Sequence, residues 1–319
     1  MDLGTAIRQV KPDLKSSSMR NYISQLKILA GNVTGSREFS NLRWLDDEKK
    51  VMSIVNAMSP HTKRNYLNAV IVIMQTRKDF DTNRAWVTYV KARDAINGHF
   101  SAESKNHTKT TRQEKNWITR DQFQKVLDWY NAFLLKRKVF KTDASRMDSD
   151  EFRKLQEYVL LRLLEEHPSR NDFATVRVVT PAAYRALDTD VRRSGNFLVT
   201  KRDDIHFQLH QWKTKKSPSE FRRISLGKPL QKLLRAYLRK IGSREYLFVD
   251  TRGSPLSRNA LTKLLVRVFR RHFPGKNIST TLLRHIFLSE KYGDVLQEMK
   301  RDQVNLGHSA EQQAAYIKK

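Results

Sequence analysis

The chain has 319 residues, enough for about two domains, and its 61 Lys and Arg against 33 Asp and Glu give a formal net charge of +28. That excess indicates a nucleic-acid partner, because basic side chains release condensed counterions from phosphate backbones, and the 39% hydrophobic content excludes a wholly disordered chain. The absence of cysteine excludes disulfides and thiolate catalysis, and no apolar run approaches the roughly 18 residues of a membrane span.

Four amphipathic helices are predicted in the first hundred residues. Two of them open alike, at Ser18-Met-Arg-Asn-Tyr22 and Thr62-Lys-Arg-Asn-Tyr66, where Ser18 and Thr62 are expected to cap the helix. The others cover residues 45–58, before Pro60, and residues 83–96. The pattern indicates a small all-helical bundle.

Three basic residues of this bundle are candidate phosphate ligands. Arg20, Lys63 and Arg64 are predicted in the first turns of their helices, where their positive charges oppose the helix dipole unless a phosphate is bound. The alternative is two ordinary capped helices, since capping signals are common.

Residues 101–115 lose the apolar pattern and are predicted to be a polar interdomain linker. A second domain then begins with a helix capped by Thr119 and continues with a long amphipathic helix over about residues 150–166, which Pro168 follows.

After this helix, the spacing of the apolar residues changes from the period of a helix to that of β-strands. Residues 196–200, 204–210 and 221–226 predict three short strands in an antiparallel sheet. Helices resume over residues 228–241, 257–272 and 279–291, and a last short helix runs to Tyr316. The predicted fold class is mainly α with a small antiparallel β-sheet.

The C-terminal quarter carries Thr281-Leu-Leu-Arg284-His285, then Leu306-Gly-His308-Ser309, then Tyr316. In these motifs and their spacing the sequence resembles the tyrosine recombinases, or phage-type integrases, and most closely those of eukaryotic mobile elements and virus satellites. The resemblance implies that Arg284, His308 and Tyr316 are catalytic, with Tyr316 as the nucleophile.

The family's chemistry explains the residue types. Tyrosine attack on a phosphodiester builds negative charge on the non-bridging oxygens, which two forked guanidinium groups match. By resemblance the first is Arg170, in Pro168-Ser-Arg170-Asn-Asp-Phe173. The resemblance also implies a lysine that protonates the leaving 5′-oxygen. Lys213 in Gln-Trp-Lys213-Thr is the match, with Lys215 and Lys216 as close rivals.

Three departures from the family's pattern stand out. Thr281 replaces the histidine of His-x-x-Arg, so it can donate a hydrogen bond to phosphate but cannot shuttle a proton, which leaves that duty to His308. The carboxylate of Asp172 follows Arg170 by two residues instead of the usual three. The interval from Arg170 to Lys213 is long, which predicts an insertion at residues 180–194.

The resemblance implies a helical core-binding, DNA-binding domain over residues 1–100 and a catalytic domain over residues 116–319. The implied enzyme is a site-specific DNA recombinase that forms a 3′-phosphotyrosyl intermediate on double-stranded DNA, without metal or other cofactor, as a homotetramer on DNA. A degenerate DNA-binding relative and a type IB topoisomerase are the alternatives. We expect an intracellular protein; Arg270-Arg271 suits a nucleus as well as a nucleoid.

Overall fold

The computed structural model describes residues 2–106, 108–215, 217 and 219–316. It divides the chain into two compact units, Met1–Thr108 and Lys109–Lys319. Across the described ranges, no helix has both the length and the apolar character needed to cross a membrane.

The described residues of the first unit form helices and no strand, with a short 3-10 turn at Arg43–Asp46. Its helices are α1 (Leu3–Val10), α2 (Ser16–Thr34), α3 (Glu48–Asn56), α4 (Pro60–Met74) and α5 (Arg84–Asn106). Helix α4 contributes a continuous buried run from Ala69 to Met74, because the other helices surround it. The predicted bundle is therefore present, with α1 as an additional helix that the sequence pattern did not reveal.

Two predicted caps in this unit are wrong. Helix α2 starts at Ser16 and has no side-chain cap, so Ser18 lies inside it. Helix α4 starts at Pro60, and the hydroxyl of Ser59, not of Thr62, accepts the capping N–H. Proline at the first helical position lacks the N–H that a cap would need to satisfy, so Ser-Pro is the stronger start signal.

The segment 101–115, which the sequence predicts to be a polar interdomain linker, is helical over most of its length. Helix α5 continues to Asn106, and a short helix α6 covers Thr111–Asn116. A capping box stabilises α6, in which the Thr110 hydroxyl and the Gln113 side chain each bond the other residue's backbone N–H. Polar composition removes the apolar stripe but does not prevent helix formation where the ends are capped. The boundary between the units lies within this segment.

Over its described residues, the second unit combines helices with a four-stranded sheet. Its longer helices are α7 (Arg120–Lys136), α8 (Ser149–Glu166), α11 (Lys228–Ile241), α12 (Arg258–His272) and α13 (Thr280–Leu306); its shorter ones are α9 (Pro181–Ala186), α10 (Thr189–Ser194) and α14 (Ala310–Tyr316). Thr119 caps α7 through a capping box, as the sequence predicts. Residues 180–194, which the sequence predicts to be an insertion, contain α9 and α10.

The sheet confirms the predicted fold class and adds one strand to it. Its order is β1-β2-β3-β4, with β1 (Val176–Val179), β2 (Asn196–Thr200), β3 (Ile205–Leu209) and β4 (Arg222–Ser225). The three predicted strands β2, β3 and β4 pair antiparallel. Strand β1 pairs parallel to β2, so the sheet is mixed, and α9 and α10 form the connection that parallel pairing requires.

Helix α13 extends much further than predicted. The expected helix ends at residue 291, before Gly293, but α13 continues without a break to Leu306 and ends on Gly307 in the left-handed conformation (φ 68°). Its buried residues all lie between Thr280 and Phe287. Only the first two turns of α13 therefore belong to the core of the unit.

Candidate active site

The two predicted phosphate-binding arginines lie in one neighbourhood. Arg170 follows the end of α8 and precedes a 3-10 turn at Asn171–Phe173. Arg284 lies in the second turn of α13, and its Nε donates a 2.9 Å hydrogen bond to the carbonyl of Pro168. Burial, together with the charge of Arg170, lowers the pKa of the Arg284 guanidinium, and Asp172 opposes that shift. The structure thus brings Arg170 and Arg284 together.

A buried carboxylate stands among these cations. Asp172 is 8% exposed, and its burial raises the pKa of its carboxyl. The charges of Arg258, Arg284, Arg222 and Arg170 act in the opposite direction. We call these four residues the arginine cluster. Four guanidinium charges that act on one carboxylate outnumber it, which leaves a net positive field at this position.

Sequence reasoning missed Arg222 and Arg258. Arg258 follows the N-cap Ser257 at the start of α12, a local position that marks a helix end but not a binding role. Arg222 opens β4 and lies over the Trp212 ring, with its guanidinium carbon 4.6 Å from the ring centre. Among 61 basic residues, neither carries a pattern that distinguishes it before the fold is known.

Asn171 fixes the segment that carries Arg170. Its Nδ2 donates to the Arg258 carbonyl at 2.9 Å and to the Thr262 hydroxyl at 2.7 Å. Its Oδ1 accepts from the hydroxyl of buried Thr280 at 2.8 Å. Three hydrogen bonds therefore tie the loop after α8 to the first turns of α12 and α13, which positions the arginine cluster from both sides.

Thr281 is exposed on the first turn of α13, one residue after buried Thr280. Arg284 follows it at i+3, so the two side chains occupy neighbouring positions on one helix face. The Thr281 hydroxyl is available to donate to an anion next to Arg284.

The candidate acid Lys213 lies exposed in the turn after β3, four residues beyond its last residue, Leu209. The rival Lys215 is used locally, because its Nζ donates to the His210 carbonyl at 2.8 Å and lies 5.6 Å from the centre of the Trp212 ring. Lys216 lies outside the described residues.

His308 and Tyr316 meet at the C-terminal end. His308 follows Gly307, the C-cap of α13, and its ring stacks on the Tyr316 ring with centroids 5.1 Å apart. Both side chains line a shallow groove with Val295 and Glu298 of α13. Tyr316 is 70% exposed.

The structure does not bring this pair to the arginine cluster. Along α13, Val295 follows Arg284 by eleven residues, which corresponds to about 16 Å of helix axis. The expected single site is therefore divided into an arginine cluster at the start of α13 and a His308–Tyr316 pair beside its second half. The cause is the unbroken course of α13 through Gly293.

The three candidate phosphate ligands of the first unit are not clustered in this way. Lys63 Nζ donates to the Asn56 side chain at 2.6 Å, and the Arg64 guanidinium lies 5.2 Å from the Phe100 ring centre. Arg20 is exposed on α2. All three lie beyond the first three residues of their helices, because both helices start earlier than predicted.

In the parts of the chain that the structure describes, no group of three or more His, Asp or Glu side chains is arranged to hold a metal ion.

The sequence matches no protein-family model and no curated protein. Two similar solved structures are of the XerH site-specific recombinase. A pre-cleavage complex with its difH substrate gives a TM-score of 0.47 at 16% identity, over 92% of this chain and 73% of that one. A post-cleavage complex with a palindromic difH substrate gives 0.43 at 14% identity, over 95% and 74%.

Proposed function

We propose that this chain is a site-specific DNA recombinase that cuts and rejoins double-stranded DNA through a tyrosine. The observation that carries the proposal is the hydrogen bond from Arg284 Nε to the carbonyl of Pro168, two residues before Arg170, which holds the two arginines of the cluster in one neighbourhood. A phosphodiester under attack carries its extra charge on the non-bridging oxygens, and fixed guanidinium groups match that charge with two parallel hydrogen bonds each. Residues 1–100 and 116–319 would then be the core-binding and catalytic domains.

In the proposed reaction, the Tyr316 hydroxyl oxygen forms a bond to the scissile phosphorus and the bond from phosphorus to the 5′-oxygen breaks. His308 accepts the tyrosine proton, and Lys213 supplies a proton to the departing 5′-oxygen. The product is a 3′-phosphotyrosyl link and a free 5′-hydroxyl. Attack by a new 5′-hydroxyl reverses these steps and releases Tyr316, so the broken bond's energy is conserved.

The His308 ring lies against the Tyr316 ring, which places a candidate base beside the proposed nucleophile and supports these two roles. For Tyr316 to reach a phosphate held by the arginine cluster, the second half of α13 must change its course. We place that change at Gly293, because glycine weakens a helix by about 1 kcal/mol relative to alanine and nothing lies within 4 Å of the position of an added Cβ.

We further propose that copies of the chain assemble on DNA as a homotetramer, since recombination requires two cut duplexes to be held together. The part of α13 that follows Phe287 supports this. It exposes large apolar side chains at helical spacing, which is typical of a surface that a protein covers. They are Leu288, Tyr292, Val295 and Leu296.

The test is covalent capture from a pool of nicked duplexes with randomised centres. The nick lets the short cut strand diffuse away, so the phosphotyrosyl link cannot be resealed. We expect a denaturation-resistant protein–DNA adduct enriched in one sequence. Binding without any adduct would favour a degenerate DNA-binding relative. Adducts without sequence enrichment, together with relaxation of a supercoiled plasmid by a monomer, would favour a type IB topoisomerase.

A further inference from the structure

The amide of Asn196 joins the arginine cluster to the loop that carries Lys213. Asn196 is the first residue of β2 and is 4% exposed. Its Nδ2 donates to the carbonyls of Asp172 and Gln211, both at 3.0 Å. Its Oδ1 accepts the backbone N–H groups of His210 at 2.9 Å and Gln211 at 2.8 Å. A carboxamide has two N–H donors and two acceptor positions, so every one is used.

The partners of this amide lie close to the proposed chemistry in the chain. Asp172 follows Arg170 by two residues, and Gln211 precedes Lys213 by two residues. The Gln211 carbonyl also accepts a 3.2 Å hydrogen bond from the Arg258 guanidinium. The Gln211 carbonyl, at the start of the loop that carries Lys213, is therefore bonded both to Asn196 and to Arg258 of the arginine cluster.

Strand pairing alone would not hold the loop that carries Lys213 in this position. Strand β3 ends at Leu209, opposite Asn196, and β4 begins only at Arg222. The hydrogen bonds of the sheet stop at Leu209. Beyond it, hydrogen bonds to the Asn196 side chain hold the backbone. Buried and fully satisfied polar groups fix one local arrangement, because each lost partner leaves an unpaired group in a low-dielectric environment.

We infer that Asn196 is a positioning residue that sets where Lys213 stands relative to the phosphate held by Arg170 and Arg284. This inference rests on the proposed function. It differs from a general stabilising role in one respect: loss of the amide should impair proton delivery to the leaving oxygen more than any other step.

The test uses a duplex captured from the randomised pool, made in two forms with oxygen or sulfur as the bridging 5′-atom at the scissile phosphate. A thiolate leaves without a proton, so the sulfur form does not need the acid. Asn196→Asp keeps the shape of the side chain but replaces the two N–H donors with an acceptor facing the carbonyls of Asp172 and Gln211. We expect it to cleave the oxygen duplex on the order of 10²-fold more slowly and to recover most of that loss on the sulfur duplex, as Lys213→Ala should.

Gln156→Glu is the matched control. Gln156 is also a buried amide, bonded to the backbone of Val249 in both directions at 2.9 Å, so the same chemical change is made outside the Lys213 loop. Any loss in this variant should be equal on the two duplexes. Should Asn196→Asp fail to fold, Asn196→Ser, which adds no charge, takes its place with the same readout.

Hydrogen exchange provides a measurement independent of cleavage. The amides of His210 and Gln211 should exchange faster in the Asn196 variant, because their acceptor is altered. Equal losses on the two duplexes, or unchanged exchange of both amides, would overturn the inference and leave the proposed function standing. A wild-type protein that forms no adduct with either duplex would overturn the proposed function, and the positioning role with it.

Discussion

The arginine cluster and the C-terminal segment 288–316 differ in how firmly the fold holds them. Asp172 is 8% exposed, and Asn171 ties the loop between Arg170 and Asp172 to α12 and α13. Tyr316 is 70% exposed, and none of residues 288–316 is buried. The proposed phosphate clamp is therefore organised by the core, whereas the proposed nucleophile belongs to a segment that no core packing holds.

This difference has a physical consequence for catalysis. A preorganised cation cluster stabilises a transition state because it needs no rearrangement when charge develops. A segment with few buried apolar contacts opens at low free-energy cost, so Tyr316 can be brought to a phosphate after DNA is bound. Positioning of the tyrosine then becomes a separate step from binding of the phosphate.

The largest expected effect is on the nucleophile itself. Tyr316→Phe should form no covalent adduct with nicked DNA, because the attacking oxygen is removed, and should bind DNA as before. Tyr292→Phe is the control, since Tyr292 is also exposed on the C-terminal side of the chain, at 50%. Adduct yield from Tyr316→Phe equal to wild type would remove Tyr316 from the reaction.

In the arginine cluster, Arg284→Lys should slow adduct formation by about 10²–10³-fold, which is the cost of losing one hydrogen-bond donor to the charged oxygens of the transition state. Lysine keeps the charge but cannot reproduce the forked pair of hydrogen bonds, and it cannot both contact phosphate and bond the Pro168 carbonyl as Arg284 Nε does. Arg170→Lys should behave alike. Single-turnover rates measure this effect, with exposed Arg267→Lys as control; wild-type rates in Arg284→Lys would exclude the clamp.

A smaller effect is expected on the change in the course of α13 that would bring Tyr316 to the arginine cluster. Gly293→Ala should slow adduct formation about fivefold, because alanine favours straight helix by about 1 kcal/mol. Gly98→Ala in α5 is the matched control, since both glycines lie inside long helices and neither has an atom within 4 Å of an added Cβ. A faster reaction in Gly293→Ala would show that the straight α13 is the active form.

The smallest expected effect concerns the stability of the second unit at low pH. His272 packs against Trp129 with ring centroids 5.0 Å apart. Burial lowers the pKa of His272, and the charges of Arg271 and Lys154 add to this, while Glu157 opposes it. The folded state therefore holds a neutral ring, and its contribution is present above the ordinary pKa of 6.5 and is lost as pH falls below it.

His272→Phe removes this titration. Between about pH 7 and pH 5 the melting temperature of the wild type should fall by a few degrees more than that of the variant. His206 and His210 have pKa values lowered by burial too, so the variant should retain part of the pH dependence. Parallel melting curves for the two proteins would show that His272 does not contribute.

Local patterns determined much of this protein without tertiary information. The strand Asn196–Thr200 and the helix Lys228–Ile241 have the predicted bounds, because side-chain period and turn residues act over a few neighbours. Arg170, Arg284, His308 and Tyr316 were candidate site residues from motifs and spacing alone, before any of their contacts was known.

Tertiary structure alone decided the rest. Strand β1 exists through parallel pairing with β2 across the insertion, a contact that no local pattern encodes. Arg222 and Arg258 became members of the cluster only because the fold brings their charges within electrostatic range of Asp172. Asn196 acquired its four hydrogen bonds from Asp172, His210 and Gln211, which are distant in sequence. The separation of Tyr316 from the arginines follows from the unbroken α13. Sequence motifs specify which chemical groups are available, but their distances depend on long-range packing, which only the folded chain supplies.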